Sequence, residues 1–105
     1  MIFDLRTYTL RTGSIPAFLA LYEKEGLPVQ SQHLGPPVGY FTTEVGDLNQ
    51  IVHLWKYQSM ADREQRRAAL EADPAWRAYR AHPDNAGVVL NQHNQILRSA
   101  PFSPL

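Results

Sequence analysis

One stretch determines the fold of this chain: Gly39-Tyr-Phe-Thr-Thr-Glu-Val-Gly-Asp-Leu-Asn-Gln-Ile-Val-His-Leu-Trp-Lys-Tyr57. Its two flanks are rich in aromatic and β-branched residues, and Gly46 and Asp47 between them are typical of a turn. The segment is therefore predicted to form a hairpin of two antiparallel strands, over about Val38 to Val45 and Asn49 to Tyr57.

On either side of this hairpin, the pattern of apolar residues, helix-capping residues and helix-breaking residues predicts the remaining elements. They are a strand from Phe3 to Arg11, a helix that begins at Ser14, a short helix or turn from Leu27 to His33, a helix from Met60 to about Ala72, a helix restarted by Asp73-Pro74, and a last strand from Val88 to Arg98. The order β-α-β-β-α-β is typical of an α+β protein with a ferredoxin-like fold, a four-stranded antiparallel sheet in the order 4-1-3-2 with helices on one face.

Composition limits the function. The chain has 105 residues, enough for one domain over residues 1–105, and ten basic and ten acidic residues give it a formal net charge of zero. Nucleic-acid binding needs a basic surface and is not expected. The absence of cysteine excludes disulfides and thiol chemistry. No apolar run is long enough to cross a membrane, and the charges of Asp4 and Arg6 come too early for a secretory signal, so a cytoplasmic location is expected.

The strand before Tyr57 has two different faces. Alternation places His53, Trp55 and Tyr57 on one face and Val52 and Leu54 on the other. We expect the face with His53 to be the bare side of the sheet, opposite the helices. A part-aromatic surface is poorly suited to open water, so a second copy of the chain should cover it. The tail from Pro101 to Leu105 is expected to fold back over its own or the partner subunit.

Several blocks of the sequence resemble the NIPSNAP family. They are Leu5-Arg-Thr-Tyr-Thr-Leu10, Gly39-Tyr-Phe-Thr-Thr-Glu44, Leu48-Asn-Gln-Ile-Val-His-Leu-Trp55, Ala61-Asp-Arg-Glu-Gln-Arg-Arg67 and Pro101-Phe-Ser-Pro-Leu105. The resemblance implies a ferredoxin-like protomer and a homodimer whose two sheets form a dimeric α+β barrel. It implies little chemistry, because the biochemical role of the family is unsettled. The wider barrel group includes cofactor-free monooxygenases and haem degraders, but a fold does not fix a function.

Three residues are the candidates for catalysis. His53 has the residue type of a proton donor or acceptor in a partly apolar cleft, and a buried, hydrogen-bonded histidine is the alternative. Arg6 and Tyr8 share a face of the first strand and could stabilise a developing negative charge. For Arg6 the alternative is a salt bridge to Asp4 or Glu44.

Four further residues are candidates for ligand binding. Tyr40 and Glu44 belong to a polar row on the predicted second strand, and Trp55 could form a platform for a planar ligand. His93 lies in the polar run Asn91-Gln-His-Asn-Gln95 of the last strand. The alternatives are a solvated carboxylate for Glu44, a core aromatic for Trp55, and an edge strand bonded across a dimer seam for the polar run.

Other charged residues suggest no separate site. No histidine or carboxylate spacing matches a metal site, so neither a metal nor a cofactor is expected. Arg63, Arg66 and Arg67 are interpreted as an exposed, ion-paired helix face, since Asp62 and Arg66 are four residues apart. The leading hypothesis is a homodimer that binds a small organic ligand in a cavity between the sheet and the helices or inside the dimeric barrel, with a cofactor-independent enzyme as one version of it. The alternative is a non-catalytic structural or adaptor module that only dimerises.

Overall fold

The computed structural model describes residues 1–105 and has the predicted α+β architecture. Its elements are β1 (Ile2–Leu10), α1 (Ile15–Leu21), a π-helical turn (Tyr22–Gly26), α2 (Leu27–Leu34), β2 (Gly39–Thr42), β3 (Gln50–Tyr57), α3 (Met60–Ala72), α4 (Pro74–Ala81) and β4 (Val89–Leu97). The predicted interruption of the first helix at Gly26 is absent. The chain continues through the π-helical turn into α2, and a wide turn of this kind often marks a functional site.

The four strands form one antiparallel sheet in the order β2-β3-β1-β4, which confirms the predicted topology. The register places Arg6 of β1 opposite both His53 of β3 and Asn94 of β4. Tyr40 of β2 lies opposite His53. Directly opposed residues of an antiparallel pair project from the same face, so these four side chains belong to one face of the sheet.

The prediction that this face is the bare one is wrong. Trp55 and Tyr57 are fully buried and belong to a core cluster with Phe18 of α1 and Leu70 of α3, so the helices cover the face that carries His53. The opposite face has no helix over it and carries Leu5 and other apolar side chains, with Val52, Leu54 and Phe41 among them. In this orientation the large aromatic side chains of Trp55 and Tyr57 are buried against the helix layer.

The capping predictions are confirmed for Ser59 and Asp73, whereas the side chain of Ser14 makes no capping hydrogen bond to α1. The hydroxyl of Ser59 accepts a hydrogen bond from the backbone N–H of Asp62 at 3.1 Å at the start of α3. The carboxylate of Asp73 accepts from the backbone N–H of Ala75 at 2.9 Å at the start of α4, where Pro74 is the first helical residue. These caps fix where α3 and α4 begin, and Asp73 also marks the end of α3. No helix of the protein is both long and apolar enough to cross a membrane.

Two segments differ from the prediction. Strand β2 ends at Thr42, so residues 43–49 form an exposed loop rather than a tight turn. The tail does not fold back over its own chain, and Phe102 within it is 90% exposed. Prolines at 101 and 104 cannot donate to a sheet, and the tail offers no strand or helix that could pack. Docking of the tail on a partner subunit stays a prediction.

Candidate functional site

A cavity of about 310 Å³ lies between the sheet and the helix layer. On the sheet side it is lined by Arg6, Tyr8, Tyr40 and His53, and opposite them by side chains from the helices that include Tyr22, Gln30, Arg67, Glu71, Trp76 and Tyr79. The loop before β4 and the start of β4 complete the wall. The size is that of a pocket for a small organic molecule. Four residues predicted from the sequence therefore share one cavity.

His53 is a buried side chain of this cavity that its neighbours hold in one position. It is 2% exposed, and the indole N–H of Trp55 donates to its Nδ1 at 2.6 Å. An indole nitrogen can only donate, so Nδ1 has no proton and the neutral ring carries its proton on Nε2. Nε2 is buried and has no hydrogen-bond partner in the chain. The ring stacks on Tyr40 with centroids 4.7 Å apart.

The electrostatics keep this imidazole neutral. Burial and the positive charge of Arg6 lower the pKa of His53 to about 3, although the carboxylate of Asp4 opposes the shift. The lone pair of Nδ1 is already occupied by Trp55. His53 is therefore arranged to donate a hydrogen bond from Nε2, rather than to supply or accept a proton.

Arg6 is fixed by its neighbours on β1. Its Nε donates to the hydroxyl of Tyr8 at 3.1 Å, and its Nη1 donates to the carboxylate of Asp4 at 3.2 Å. The predicted alternative, a salt bridge to Asp4, is thus present, and Arg6 also lines the cavity. These contacts hold the guanidinium group in one orientation, while Nη2 has no partner in the chain.

Asp4 connects the sheet to α3. Nε of Arg63 donates to its carboxylate at 3.0 Å, and the side-chain amide of Asn94 donates to it at 3.1 Å. Burial by itself raises the pKa of Asp4, but the hydrogen bond from Asn94 and the charge of Arg6 outweigh it and hold the pKa below its ordinary value. The carboxylate is therefore ionised and holds two arginines together beneath the cavity.

The interpretation of the arginines on α3 as one exposed face is wrong for two of them. Arg66 does pair with Asp62, at 2.8 Å on the outside of the helix, as predicted. Arg63 instead pairs with buried Asp4, and Arg67 lines the cavity without any ion pair. The spacing contained a signal for this, because Arg63 and Arg67 form one helical stripe with the buried Leu70.

Aromatic rings line one side of the cavity. Tyr22 stacks on Tyr40 with centroids 4.8 Å apart, and Tyr40 in turn stacks on His53. Burial raises the pKa of both phenols, so they stay protonated. The hydroxyl of Tyr22 donates to the side-chain oxygen of Gln30. Trp76 lies on the other side, 5.1 Å from Tyr79 between ring centroids.

Three predicted ligand-binding residues do not line the cavity. Glu44 lies in the exposed loop, because β2 ends two residues before it. His93 is opposite Thr7 on the helix-free face, and its neighbours Asn91 and Gln92 line the cavity instead. Trp55 lies beneath His53 and contacts the cavity only through it. No group of three or more His, Asp or Glu side chains is placed to hold a metal ion.

Comparison with known proteins gives a consistent result. The family model described as NIPSNAP matches residues 3–104. A NIPSNAP family protein of unknown function from Agrobacterium tumefaciens is 45% identical, with a TM-score of 0.94 over 100% of this chain and 93% of that one. The human protein NipSnap homolog 3A is 29% identical over 106 residues, 100% of this chain. The chain spans only 42% of that relative.

The fold also extends beyond these relatives. A structure of an antibiotic biosynthesis monooxygenase is 13% identical, with a TM-score of 0.65 over 96% of this chain and 100% of that one. At this identity the likeness shows the fold alone.

Proposed function

The chain belongs to the NIPSNAP family, and from this premise we propose that it binds a small organic ligand in the cavity between its sheet and its helices. One observation carries the proposal: the buried Nε2–H of His53 has no partner in the chain, in a cavity of about 310 Å³. A buried donor without a partner costs roughly 1–3 kcal/mol. A ligand that accepts this hydrogen bond would remove the cost.

The construction of the wall supports ligand binding. Trp55 fixes the tautomer of His53, and Asp4 and Tyr8 fix the orientation of Arg6. Polar groups held in place by neighbours lose little freedom when a ligand binds. A structural module needs only a filled core, so an organised polar cavity favours a binding protein over the adaptor alternative.

Ligand binding can be tested by filling the cavity. Ala86 lies on the wall and is exposed, so Ala86→Trp should enter the space without disturbing the core. Ala69→Trp, on an exposed position of α3 away from the wall, is the matched control. We expect small aromatic acids or amides to raise the melting temperature of the wild type and of Ala69→Trp, and to have no effect on Ala86→Trp. Equal shifts in all three proteins would place the ligand elsewhere.

We also propose that the chain acts as a homodimer through the helix-free face of the sheet. Phe41 on this face is 58% exposed, next to Val52 and Leu54. An exposed apolar patch on a sheet face without a helix is typical of a surface that another protein covers. The zero net charge offers little repulsion between copies.

If the chain forms this homodimer, its mass in solution at micromolar concentration should be twice the 11.9 kDa of one chain. Phe41→Lys should shift the protein toward monomer by at least tenfold in dissociation constant, because a charge would be buried in an apolar contact. Ala69→Lys on exposed α3 should leave the mass unchanged. Sedimentation equilibrium measures both, and a monomeric wild type would contradict the proposal.

A further inference from the structure

We infer that the ligand is a small planar organic acid, whose anionic group binds Arg67 and Arg6 and whose second oxygen accepts a hydrogen bond from Nε2–H of His53. The inference rests on the proposed function and adds the chemical class of the ligand. It is carried by the charges, the donors and the shape of the cavity wall.

The cavity carries an excess of positive charge. Arg6 and Arg63 share the one carboxylate of Asp4, and Arg67 has no ion pair. The carboxylate of Glu71, which also lines the wall, pairs with Arg80 at 3.4 Å. No acidic side chain is therefore left to balance Arg67. A guanidinium group binds a carboxylate through two parallel hydrogen bonds, which makes an organic acid the matching ligand.

The buried side-chain groups of the cavity wall that have no hydrogen-bond partner are donors. Besides Nε2 of His53, the indole Nε1–H of Trp76 is buried with no partner, and Trp76 lines the cavity. The acceptor oxygen of Gln30, by contrast, is occupied by the hydroxyl of Tyr22. A ligand with several acceptor oxygens satisfies this set, whereas an amine or another donor-rich molecule does not.

The stacked rings favour a flat ligand. Tyr22, Tyr40 and His53 form a continuous stack with centroid separations of 4.8 Å and 4.7 Å. In a continuous stack the inner ring faces contact one another, so the rings offer mainly their edges to the cavity beside the donors, and a ring edge packs well against the face of another aromatic ring. An aromatic acid places a ring and a carboxylate in one molecule of the size that this cavity holds.

The test compares acids with their neutral analogues. Isothermal titration calorimetry uses salicylate against salicylamide, and phenylpyruvate against phenylacetone, which lacks the carboxylate. We expect the wild type to bind at least one acid ten times more tightly than its neutral analogue. Arg67→Gln should weaken binding of that acid at least tenfold. Arg66 directly precedes Arg67 on α3 and pairs with Asp62, so Arg66→Gln should change the affinity for that acid less than twofold.

The contribution of His53 has its own readout. In nitrogen-15 spectra of the imidazole, Nε2 should have the chemical shift of a protonated ring nitrogen and should move when the acid binds. Trp76→Phe keeps an aromatic ring and removes the N–H, and should weaken binding of the acid about threefold or more. Acid binding that leaves the Nε2 signal unmoved overturns the assigned contact.

The outcomes separate the two proposals. If the neutral analogues bind as well as the acids, and Arg67→Gln binds both normally, the cavity binds ligands but the acid class is wrong. If neither acids nor neutral analogues bind at millimolar concentration, the proposed function fails together with the inference.

Discussion

Replacing Asp4 with asparagine is expected to lower the free energy of unfolding by about 3–5 kcal/mol, the usual cost of leaving a buried charge without its partner. The side chain of Asp4 is 0% exposed. Its carboxylate accepts from Arg6 at 3.2 Å and from Arg63 at 3.0 Å. Asparagine has nearly the same shape and no charge, so both guanidinium groups would stay beneath the cavity without a counter-ion. Urea unfolding followed by circular dichroism measures the loss.

A matched control distinguishes burial from charge alone. Glu71→Gln makes the same chemical change in an ion pair whose side chains, Arg80 included, are about half exposed, and should cost less than about 1 kcal/mol. Adding Arg63→Gln to Asp4→Asn should restore part of the loss, because one uncompensated charge is removed. A loss below about 1 kcal/mol for Asp4→Asn would show that the arginines do not depend on this carboxylate.

The order of elements could be predicted because local chemistry determines it. Side chains of different character alternate along the strands from Gln50 to Tyr57 and from Ile2 to Leu10. Ser59 and Asp73 are residue types that are preferred at helix N-caps, so the sequence indicates where the helices begin. The β-α-β-β-α-β order then leaves few topologies, and the observed sheet order is the usual one.

The covered face could not be predicted from β3 alone. Alternation shows that His53 and Trp55 share a face and that Val52 and Leu54 share the other, but both faces are apolar enough to be buried. The choice depends on which face is complementary to the helices. That complementarity is a property of α1, α3 and β3 together, and no single strand contains it.

The site was predicted in part for a similar reason. Arg6, Tyr8, Tyr40 and His53 were found because neighbouring strands in the predicted order place them side by side. Arg67 was missed because its approach to the sheet depends on the rotation of α3. The stripe it forms with the buried Leu70 was the available signal. The donor role of His53 depends on the bond from Trp55, which no pattern of residue types reveals.

Acidification is expected to destabilise the protein through His53. Burial lowers the pKa of its folded-state imidazole to about 3, against an ordinary value of 6.5. Between these values the unfolded chain binds a proton that the native chain does not. The contribution of His53 is therefore complete above pH 6.5 and is lost as the pH falls, at about 1.4 kcal/mol per pH unit. From pH 6.5 to 4.5 the free energy of unfolding should fall by about 2 kcal/mol.

The effect of His53 on stability can be separated from the effects of the groups that face it. These groups are Asp4, Arg6 and Tyr8 on β1, Tyr40 on β2 and Arg67 on α3. Because the pKa of Asp4 lies below its ordinary 3.8, its own contribution is lost only at more acidic pH. Urea unfolding of the wild type and of His53→Gln at several pH values between 4.5 and 7 removes the shared effects of the other histidines. The slope should be steep in the wild type and about 1.4 kcal/mol per unit shallower in the variant. Parallel curves would mean that the imidazole takes up its proton in the native protein as readily as in the unfolded chain, and the assignment of Nε2 as a fixed neutral donor would then be lost.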